Sequence, residues 1–360
     1  MPRTAARVVV VDDSALMRRL LASALAEAGF DVVAVAAGGE EALTACAAHR
    51  PDVLSLDLAM PGLHGLDVLR ALNRAGSPTR VVVVSAFSPA FGARAVDALA
   101  EGAFELVEKP TAGAPPAAFL AELCEKVGLA AEARNGACPA AALGRPVRRA
   151  VAGAAKRAVV IACSTGGPKA LADLVPKLPA PLGRGTLIVQ HMPPGFTRSL
   201  ADRLDRQSRL TVREAAGGER LEPSTALLAP GGSHLRLVAD ALKLSDDPAI
   251  GGLRPRADLT IEDAANAYRG DLVLVVLTGM GKDGLEGARV VKRHGGRVLA
   301  EAESTCTVYG MPRAVVEADL ADDVLALPDL PAAIAAEAGG VGSTEPPRSG
   351  GADLSALERT

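Results

Sequence analysis

The first third of the chain carries acidic and cationic side chains that directly follow apolar runs. Asp12, Asp13 and Asp57 are three carboxylates placed in this way, and Ser85 and Lys109 end two later runs. If the runs are neighbouring parallel strands, their carboxyl ends meet at one edge of the sheet, where three carboxylates would repel one another. A hard divalent cation relieves that repulsion, and Mg²⁺ suits such a site when a phosphoryl group shares the coordination.

This donor set favours phosphoryl chemistry at Asp57. A carboxylate can attack phosphorus and carry an acyl phosphate, while the hydroxyl of Ser85 and the ammonium of Lys109 hold phosphoryl oxygens. The alternative is that the acids only cap the helices after the strands, a role that Asp13 or Ser14 can also take. A single Asp-Asp pair would be weak support, but the ordered set at successive strand ends favours the functional interpretation.

A second set of residues suited to catalysis lies in the second half of the chain. Ser164 stands between an apolar run and a helix start, in the string VVIACSTGGPKAL, where backbone N–H groups can stabilise an oxyanion. His191 follows another apolar run, and Asp283 lies in the loop LTGMGKDG after a third. A serine needs a base, and the base needs an orienting acid, so these three strand ends suggest a Ser-His-Asp triad.

Each of these three residues also has an ordinary structural explanation. Ser164 can be a helix N-cap, His191 a structural histidine beside a Pro-rich loop, and Asp283 a turn or cap residue. Taken separately, the structural explanations are favoured, and their joint placement makes the two interpretations about equal from these residues alone. The other four histidines are weaker candidates, because they lie at a helix end, in a loop of the first domain or in polar, surface-like stretches.

The glycines around Asp283 offer an alternative of a different class. The stretch Gly279–Gly284 fits G-x-G-x-x-G after a strand, and Glu301 lies near the end of the next strand, as in dinucleotide-dependent dehydrogenases. Asp283 would then sit inside the phosphate loop and repel a pyrophosphate, and the motif comes late in its domain. Hydrolysis is therefore favoured over a nicotinamide site.

The elements that must position these residues are parallel strands alternating with helices. Five short apolar runs separated by helical patterns predict that residues 1–125 form a (βα)5 flavodoxin-like domain with strand order 2-1-3-4-5. A second doubly wound α/β domain is predicted for residues 157–338, in which Thr225–Ala229 and the two runs after it are shorter strands suited to hairpins. Composition predicts a flexible linker at 126–156 and a disordered tail at 339–360.

Composition excludes several classes of protein. Lys plus Arg is 39 and Asp plus Glu is 42, so the formal charge is 39 − 42 = −3, and aromatic residues are only 2%. A nucleic-acid partner is not expected from such a surface. The apolar runs are too short for membrane insertion, no secretion signal is apparent, and the five scattered cysteines form no CxxC motif. We therefore expect a soluble cytoplasmic protein.

The first domain resembles the receiver domain of two-component response regulators. The stretches VVVVDDS, PDVLSLDLAMPGLHGLDVL, VVVVSAF and GAFELVEKP carry the resemblance. It implies phosphorylation of Asp57 by a histidine kinase, with Mg²⁺ held by Asp12, Asp13 and Asp57. Two positions depart from the family pattern: His64 replaces an acid and is expected at the surface, and Leu106 replaces a common aromatic residue. The second departure argues against an aromatic switch, but not against phosphorylation.

The second domain resembles the catalytic domain of the chemotaxis protein-glutamate methylesterases, the CheB family. CSTGGP, QHMPPGFTRSLADRL, LAPGG, LTGMGKDG and STCTVYGMPR carry this resemblance, which spans about residues 158–335. It implies roles for five residues: Ser164 as nucleophile, His191 as general base, Asp283 as its orienting carboxylate, and Thr165 and Met280 as donors of oxyanion-binding backbone N–H groups.

The same resemblance implies the activity and its partners. The expected substrates are glutamate γ-methyl esters and certain glutamines of methyl-accepting chemotaxis receptors, hydrolysed without a cofactor. The expected phosphodonor is a CheA-type histidine kinase, and the unphosphorylated receiver is expected to cover the catalytic cleft. A further alternative is a non-catalytic signalling protein whose second domain only binds a partner, but the presence of all three triad residues argues against it.

Overall fold

The computed structural model describes residues 5–86, 89–110, 115–133 and 156–339 of the 360-residue chain. These residues form two α/β units, each built on a sheet of parallel strands, and the predicted α/β fold class is confirmed. Most of the predicted linker and nearly all of the predicted tail lie outside the described residues. Within the described part of the chain, no helix is both long and apolar enough to span a lipid bilayer.

In the first unit, strands and helices alternate along the chain. The elements are β1 (Arg7–Val11), α1 (Ala15–Glu27), β2 (Asp31–Ala36), α2 (Gly39–His49), β3 (Val53–Asp57), α3 (Gly65–Arg74), β4 (Arg80–Ser85), α4 (Pro89–Ala100), β5 (Glu105–Glu108) and α5 (Ala117–Ala133). The strand order is β2-β1-β3-β4-β5, as predicted. The strands are largely apolar, so both faces of the sheet are covered by helices. Helices α1 and α5 pack on one face, and α2, α3 and α4 pack on the other.

Helix α5 is longer than the sequence suggested. It continues to Ala133, so residues 126–133, which the sequence analysis assigned to the linker, belong to this helix. The composition of the following stretch, rich in Ala, Gly, Pro and Arg, was the reason for placing the linker there. Val127 and Ala130 are fully buried against the sheet of the first unit, and that packing carries the helix past Gly128.

The second unit has a larger sheet. Its elements are β6 (Ala158–Cys163), α6 (Gly167–Leu174), β7 (Thr186–Gln190), α7 (Phe196–Gln207), β8 (Thr211–Glu214), β9 (Thr225–Leu228), β10 (His234–Val238), β11 (Ala241–Ser245), α8 (Ala257–Tyr268), β12 (Leu272–Val276), α9 (Leu285–Arg293), β13 (Arg297–Glu301), α10 (Met311–Glu317), β14 (Asp323–Leu325) and α11 (Leu330–Ala338). Short 3₁₀ turns precede β7 and α11.

The strand order of this sheet is β14-β13-β12-β6-β7-β9-β8, and all its pairings are parallel. Helices α6, α7 and α11 cover one face, while α8, α9 and α10 cover the other together with the antiparallel hairpin β10–β11. Since β12, β6 and β7 are adjacent, the loops after these three strands open at one edge of the sheet.

Two features of this unit differ from the sequence-based expectation. The run Thr225–Leu228 is not part of a hairpin but a parallel strand inside the main sheet, and all four of its residues are buried. Strands β8 and β14 were not predicted. With four and three residues they are too short for an apolar period to be recognised, and their pairing with β9 and β13 defines them.

Candidate active site and phosphoacceptor site

Ser164 lies in a tight turn between β6 and α6. Its backbone N–H donates to the carbonyl of Thr278 at 3.0 Å, and its own carbonyl accepts from Gly167 N at 2.7 Å. Gly166 has a φ of +80°, a left-handed conformation that favours glycine, and a Cβ there would lie 2.4 Å from the Thr307 side chain. The sequence therefore folds into a turn that leaves Ser164 in the wall of a cavity.

The ring of His191, which lines the same cavity, is bonded to Asp283. Its Nε2 lies 2.8 Å from Oδ2 of Asp283, so the neutral ring must carry its proton on Nε2 to donate to the carboxylate. Nδ1 is then the nitrogen left to accept a proton. In the chymotrypsin arrangement the two nitrogens have the opposite roles, because the acid binds Nδ1.

Four further donors surround the buried carboxylate of Asp283. They are the backbone N–H groups of Ala257 at 2.7 Å, Asp258 at 2.9 Å and Gly284 at 3.0 Å, and Nε of Arg256 at 3.1 Å. Burial alone would raise the pKa of Asp283, but the bonds from His191 and from the start of α8 outweigh it and lower the pKa to about 2. The carboxylate is therefore ionised at neutral pH and able to hold an imidazolium ion.

Asp258 repeats this arrangement at the neighbouring helix. Its Oδ1 accepts from the backbone N–H groups of Gly284 at 2.8 Å and Gly287 at 2.9 Å, and its Oδ2 accepts from Arg256 at 2.8 Å. Asp283 thus caps the N-terminus of α8, and Asp258, which lies on α8, caps the N-terminus of α9. Burial raises the pKa of Asp258, and the adjacent Asp283 adds to the effect.

The G-x-G-x-x-G stretch serves this packing instead of a dinucleotide. A Cβ at Gly279 would lie 2.8 Å from Cβ of Ser164, so that glycine allows the loop to contact the turn that contains Ser164. The N–H of Gly284, where a pyrophosphate would bind, is bonded to the two acids instead. Glu301 is fully buried and accepts from Thr278 N at 2.8 Å, which removes it from any ribose. The dehydrogenase alternative is therefore contradicted.

The two residues predicted to bind the oxyanion lie beside the candidate triad. Thr165 and Met280 both line the cavity that contains Ser164 and His191. Thr165 is buried, and its carbonyl accepts from the hydroxyl of Thr278 at 2.9 Å. Met280 is 43% exposed, so its side chain forms part of the open rim.

Both units contribute to this cavity, which has a volume of about 540 Å³. From the first unit it is lined by Glu105, Glu122, Glu125, Lys126 and Leu129. Oε2 of Glu105 accepts a hydrogen bond from Oγ1 of Thr165 at 2.7 Å, and Arg203 of α7 forms an ion pair with Asp97 of α4. The first unit therefore lies over the residues that the sequence analysis predicted to be catalytic.

The acids of the first unit meet at the carboxyl edge of its sheet. Nζ of Lys109 lies 2.6 Å from Oδ2 of Asp57 and 2.7 Å from Oδ2 of Asp12. Burial raises the pKa of Asp12. Burial alone would lower the pKa of Lys109, but the contacts with Asp12 and Asp57 outweigh this effect and raise it. Ser14 is the N-cap of α1, so Asp13 does not serve that role.

Asp12, Asp13 and Asp57 can each offer a ligand oxygen, and these oxygens lie within 4.8 Å of one another. Hard oxygen donors with this much negative charge, gathered around one ammonium group, fit Mg²⁺. Ser85 lies at the end of β4 and is fully buried, with its Oγ 3.3 Å from the carbonyl of Ala86. All five residues predicted for this site are therefore at one edge of the sheet.

The two departures from the receiver pattern are placed as their residue types suggest. His64 precedes α3 and is exposed, as expected, whereas Leu106 on β5 is buried in the core. Gly65 directly follows His64. Close packing requires a glycine there, because a Cβ would lie 2.3 Å from the carbonyl oxygen of Asp57. The motif around His64 thus holds the loop after β3 close to the backbone of Asp57.

Three polar residues at the catalytic edge were not singled out from the sequence. Arg256 and Asp258 belong to the string RPRAD just before and inside the first turn of α8, where an acid is common for reasons of capping alone. Gln190 donates to the carbonyls of Ser164 at 3.0 Å and His191 at 2.9 Å. Its position directly before His191 was the only available signal.

The fold and the two sites define the class of protein: a receiver domain joined to a second α/β unit that carries a Ser, a His and an Asp after three adjacent strands. Residues 8–115 match the family model for the response regulator receiver domain, and residues 159–334 match that for CheB methylesterase. The chain belongs to the CheB methylesterase family.

Relatives from three bacteria, each named protein-glutamate methylesterase/protein-glutamine glutaminase, match most of the chain. That of Symbiobacterium thermophilum is 42% identical, with 89% of this chain and 93% of the relative covered. The Myxococcus xanthus relative whose name carries the number 5 is 45% identical, with 88% of this chain and 93% of the relative covered. That of Thermotoga maritima is 40% identical, with 89% of this chain and 94% of the relative covered. The crystal structure of the Thermotoga maritima CheB methylesterase catalytic domain is 45% identical and covers 50% of this chain and 98% of its own, with a TM-score of 0.49.

Proposed function

We propose that this chain is a phosphorylation-regulated serine hydrolase that demethylates glutamate γ-methyl esters, and deamidates glutamines, on chemoreceptors. Family membership and the names of the relatives support methylesterase and glutaminase activity. The observation that carries the proposal is the 2.8 Å contact between His191 Nε2 and Asp283 Oδ2 in the cavity that Ser164 also lines.

In the proposed reaction Oγ of Ser164 attacks the side-chain carbonyl of the ester, and Nδ1 of His191 takes the hydroxyl proton. The backbone N–H groups of Thr165 and Met280 receive the developing oxyanion. The C–OCH₃ bond breaks, and the histidine gives its proton to the departing methanol. Water, deprotonated by the same ring, then hydrolyses the acyl-enzyme and leaves glutamate. With glutamine as substrate the leaving group is ammonia.

Phosphorylation at the other site is the regulatory part of the proposal. A histidine kinase of the CheA type would transfer its phosphoryl group to Asp57, with Ser85 and Lys109 on the phosphoryl oxygens. Asp12, Asp13 and Asp57 would hold Mg²⁺, which neutralises charge on the transferred group. The added charge would then weaken the covering of the cavity by the first unit.

The domain arrangement proposed is a receiver, a linker, a catalytic unit from residue 157 to residue 338 and a tail. The receiver extends past residue 125 to the end of α5 at Ala133. A flexible linker and a disordered tail remain predictions for residues 134–155 and 340–360, as does the cytoplasmic location expected from the sequence.

The direct test is methanol release from methylated chemoreceptor membranes by the full chain, with and without a small-molecule phosphodonor. We expect release that increases when the phosphodonor is present. The control is Ser164→Ala, which should abolish release while Asp57 remains phosphorylated, because the two sites use separate residues. Normal turnover in this variant would refute the role of Ser164, and failure of the serine to be labelled by a serine-directed reagent would favour a non-catalytic protein.

A further inference from the structure

A pair of opposite charges, one half-buried and one buried, contacts the acid of the proposed triad. Nε of Arg256 is 3.1 Å from Oδ1 of Asp283, and its Nη2 is 2.8 Å from Oδ2 of Asp258. The Arg256 side chain is 20% exposed and that of Asp258 is 7% exposed, so water screens these contacts weakly. Arg256 and the ring of His191 therefore compete for the same carboxylate.

We propose that Arg256 and Asp258 are positioning residues that act through Asp283 and determine how strongly the ring of His191 binds a proton. This inference rests on the proposed function, in which that ring receives the proton of Ser164. Arg256 partly neutralises Asp283 and so weakens its hold on a protonated ring. Asp258 offsets part of the Arg256 charge and adds negative potential of its own, so it has the opposite effect.

Several other charged groups face this network. Glu262 of α8 contributes to the field at Arg256, and Glu286 of α9 contributes to the field at Glu262. Asp263 of α8 pairs with Arg236, and the buried His234 accepts from the backbone N–H of Arg256. Glu105, Glu122, Glu125 and Lys126 of the first unit, with Arg254, lie across or around the cavity. Among the described residues, the ion pairs of Asp283 are those with His191 and Arg256.

The two residues make opposite predictions. Arg256→Gln removes a competing cation, so the ring should take up its proton at higher pH, and the acidic limb of the pH–rate profile should move up. Asp258→Asn keeps an oxygen acceptor for the N–H groups of α9 but removes an anion, so the limb should move down. Arg256→Lys keeps the charge and should restore most of the parent behaviour. A general loosening of the site would not produce shifts of opposite sign.

The experiment is a titration of the histidine ring signals by NMR in the full-length chain, together with the pH dependence of methanol release with a phosphodonor present. The His191 signal is identified by its loss in His191→Gln. We expect shifts of roughly half a pH unit or more, upward for Arg256→Gln and downward for Asp258→Asn. The matched control is Arg254→Gln, because Arg254 bonds the carbonyls of Asp246 and Asp247 and should shift the limb far less.

The outcomes separate this inference from the proposed function. No shift of the His191 signal, or shifts in the same direction, in folded Arg256→Gln and Asp258→Asn would overturn the inference. If the parent chain released no methanol at any pH, the proposed function would fail, while the ring titration would still decide the role of the two residues. If Arg256→Gln does not fold, the other two variants test the inference. The His191 titration should then shift downward in Asp258→Asn and stay unchanged in Arg256→Lys, and any other result would overturn the inference.

Discussion

The ring of His191 shows how a single contact constrains the chemistry of this site. Because Asp283 bonds Nε2, the proton of the neutral ring belongs on that nitrogen, and Nδ1 is the nitrogen that would act as the base in the proposed reaction. Asp283 is in turn held by three backbone N–H groups and an arginine, which limits its rotation. The acid therefore orients the ring and is itself oriented by the starts of two helices.

Asp283→Asn should leave the fold intact and lower turnover by about a thousandfold or more. An asparagine oxygen can replace Oδ1, which accepts from Asp258 N and Gly284 N, but its NH₂ group then takes the place of Oδ2 and faces the ring and the N–H of Ala257. Nε2 would have to accept, so the ring proton would move to Nδ1 and block the base. Methanol release and thermal unfolding of the variant check this, and unchanged turnover would contradict it.

The same carboxylate should also contribute to stability in a pH-dependent way. Its pKa is lowered from 3.8 to about 2, so the contribution is present above pH 4 and is lost as the pH falls toward 2. It amounts to about 2 kcal/mol when complete, of which about 1 kcal/mol should be lost by pH 3. Urea unfolding of the parent chain and Asp283→Asn at pH 5, 4 and 3 measures this. If the difference in free energy of unfolding between the parent chain and the variant does not decrease as the pH falls, the carboxylate charge contributes nothing to stability.

At the scale of elements, α8 and α9 form the support of the site. Asp283, just before α9, caps α8, and Asp258 of α8 caps α9, so the spacing of the two helices determines where the triad acid lies. The helices are in close contact at Gly287, where a Cβ would lie 2.6 Å from Cβ of Ile261. The glycine is required there by space, not by its backbone conformation.

Gly287→Ala should destabilise the second unit by about 1 to 3 kcal/mol and lower turnover, because the helices must separate. The control is Gly128→Ala in α5, where the nearest atom to a new Cβ is 3.7 Å away, in the ring of Phe30. That change should stabilise the first unit by about 0.5 to 1 kcal/mol, since alanine loses less backbone entropy in a helix. Urea unfolding measures both, and equal effects would contradict the role assigned to the close contact.

At the scale of the whole molecule, both units line the cavity, and contacts between them lie beside it. Glu105 at the start of β5 bonds the hydroxyl of Thr165, and the loop after that strand carries Lys109, which contacts Asp57, the proposed phosphoacceptor. A short strand therefore connects the two sites. A change of charge at one end can be transmitted to the contact at the other end.

A chain beginning at Lys156 should be more active than the unphosphorylated full-length chain, because no receiver covers its cavity. Glu105→Ala in the full-length chain should raise basal methanol release in the same direction, since Thr165 loses its partner across the interface. The control is Glu27→Ala on the exposed surface of α1, which should have no effect. Equal activity of the shortened and full-length chains would exclude steric inhibition by the receiver.

The sequence by itself determined the order of parallel strands in the first unit and the convergence of side chains at strand ends. Residues that directly follow adjacent apolar strands must meet at one edge, whatever the rest of the fold does. This reasoning brought Ser164, His191 and Asp283 together in prediction, and the structure places His191 against Asp283 in the cavity that Ser164 lines.

Only the tertiary structure decided which ring nitrogen faces the acid, that Arg256 and Asp258 stand behind it, and that Glu105 reaches Thr165. It also carried α5 past Gly128 and placed β8 and β14 in the sheet. These features depend on contacts between residues far apart in the chain, or on segments too short to show a period, so local composition carries no signal of them.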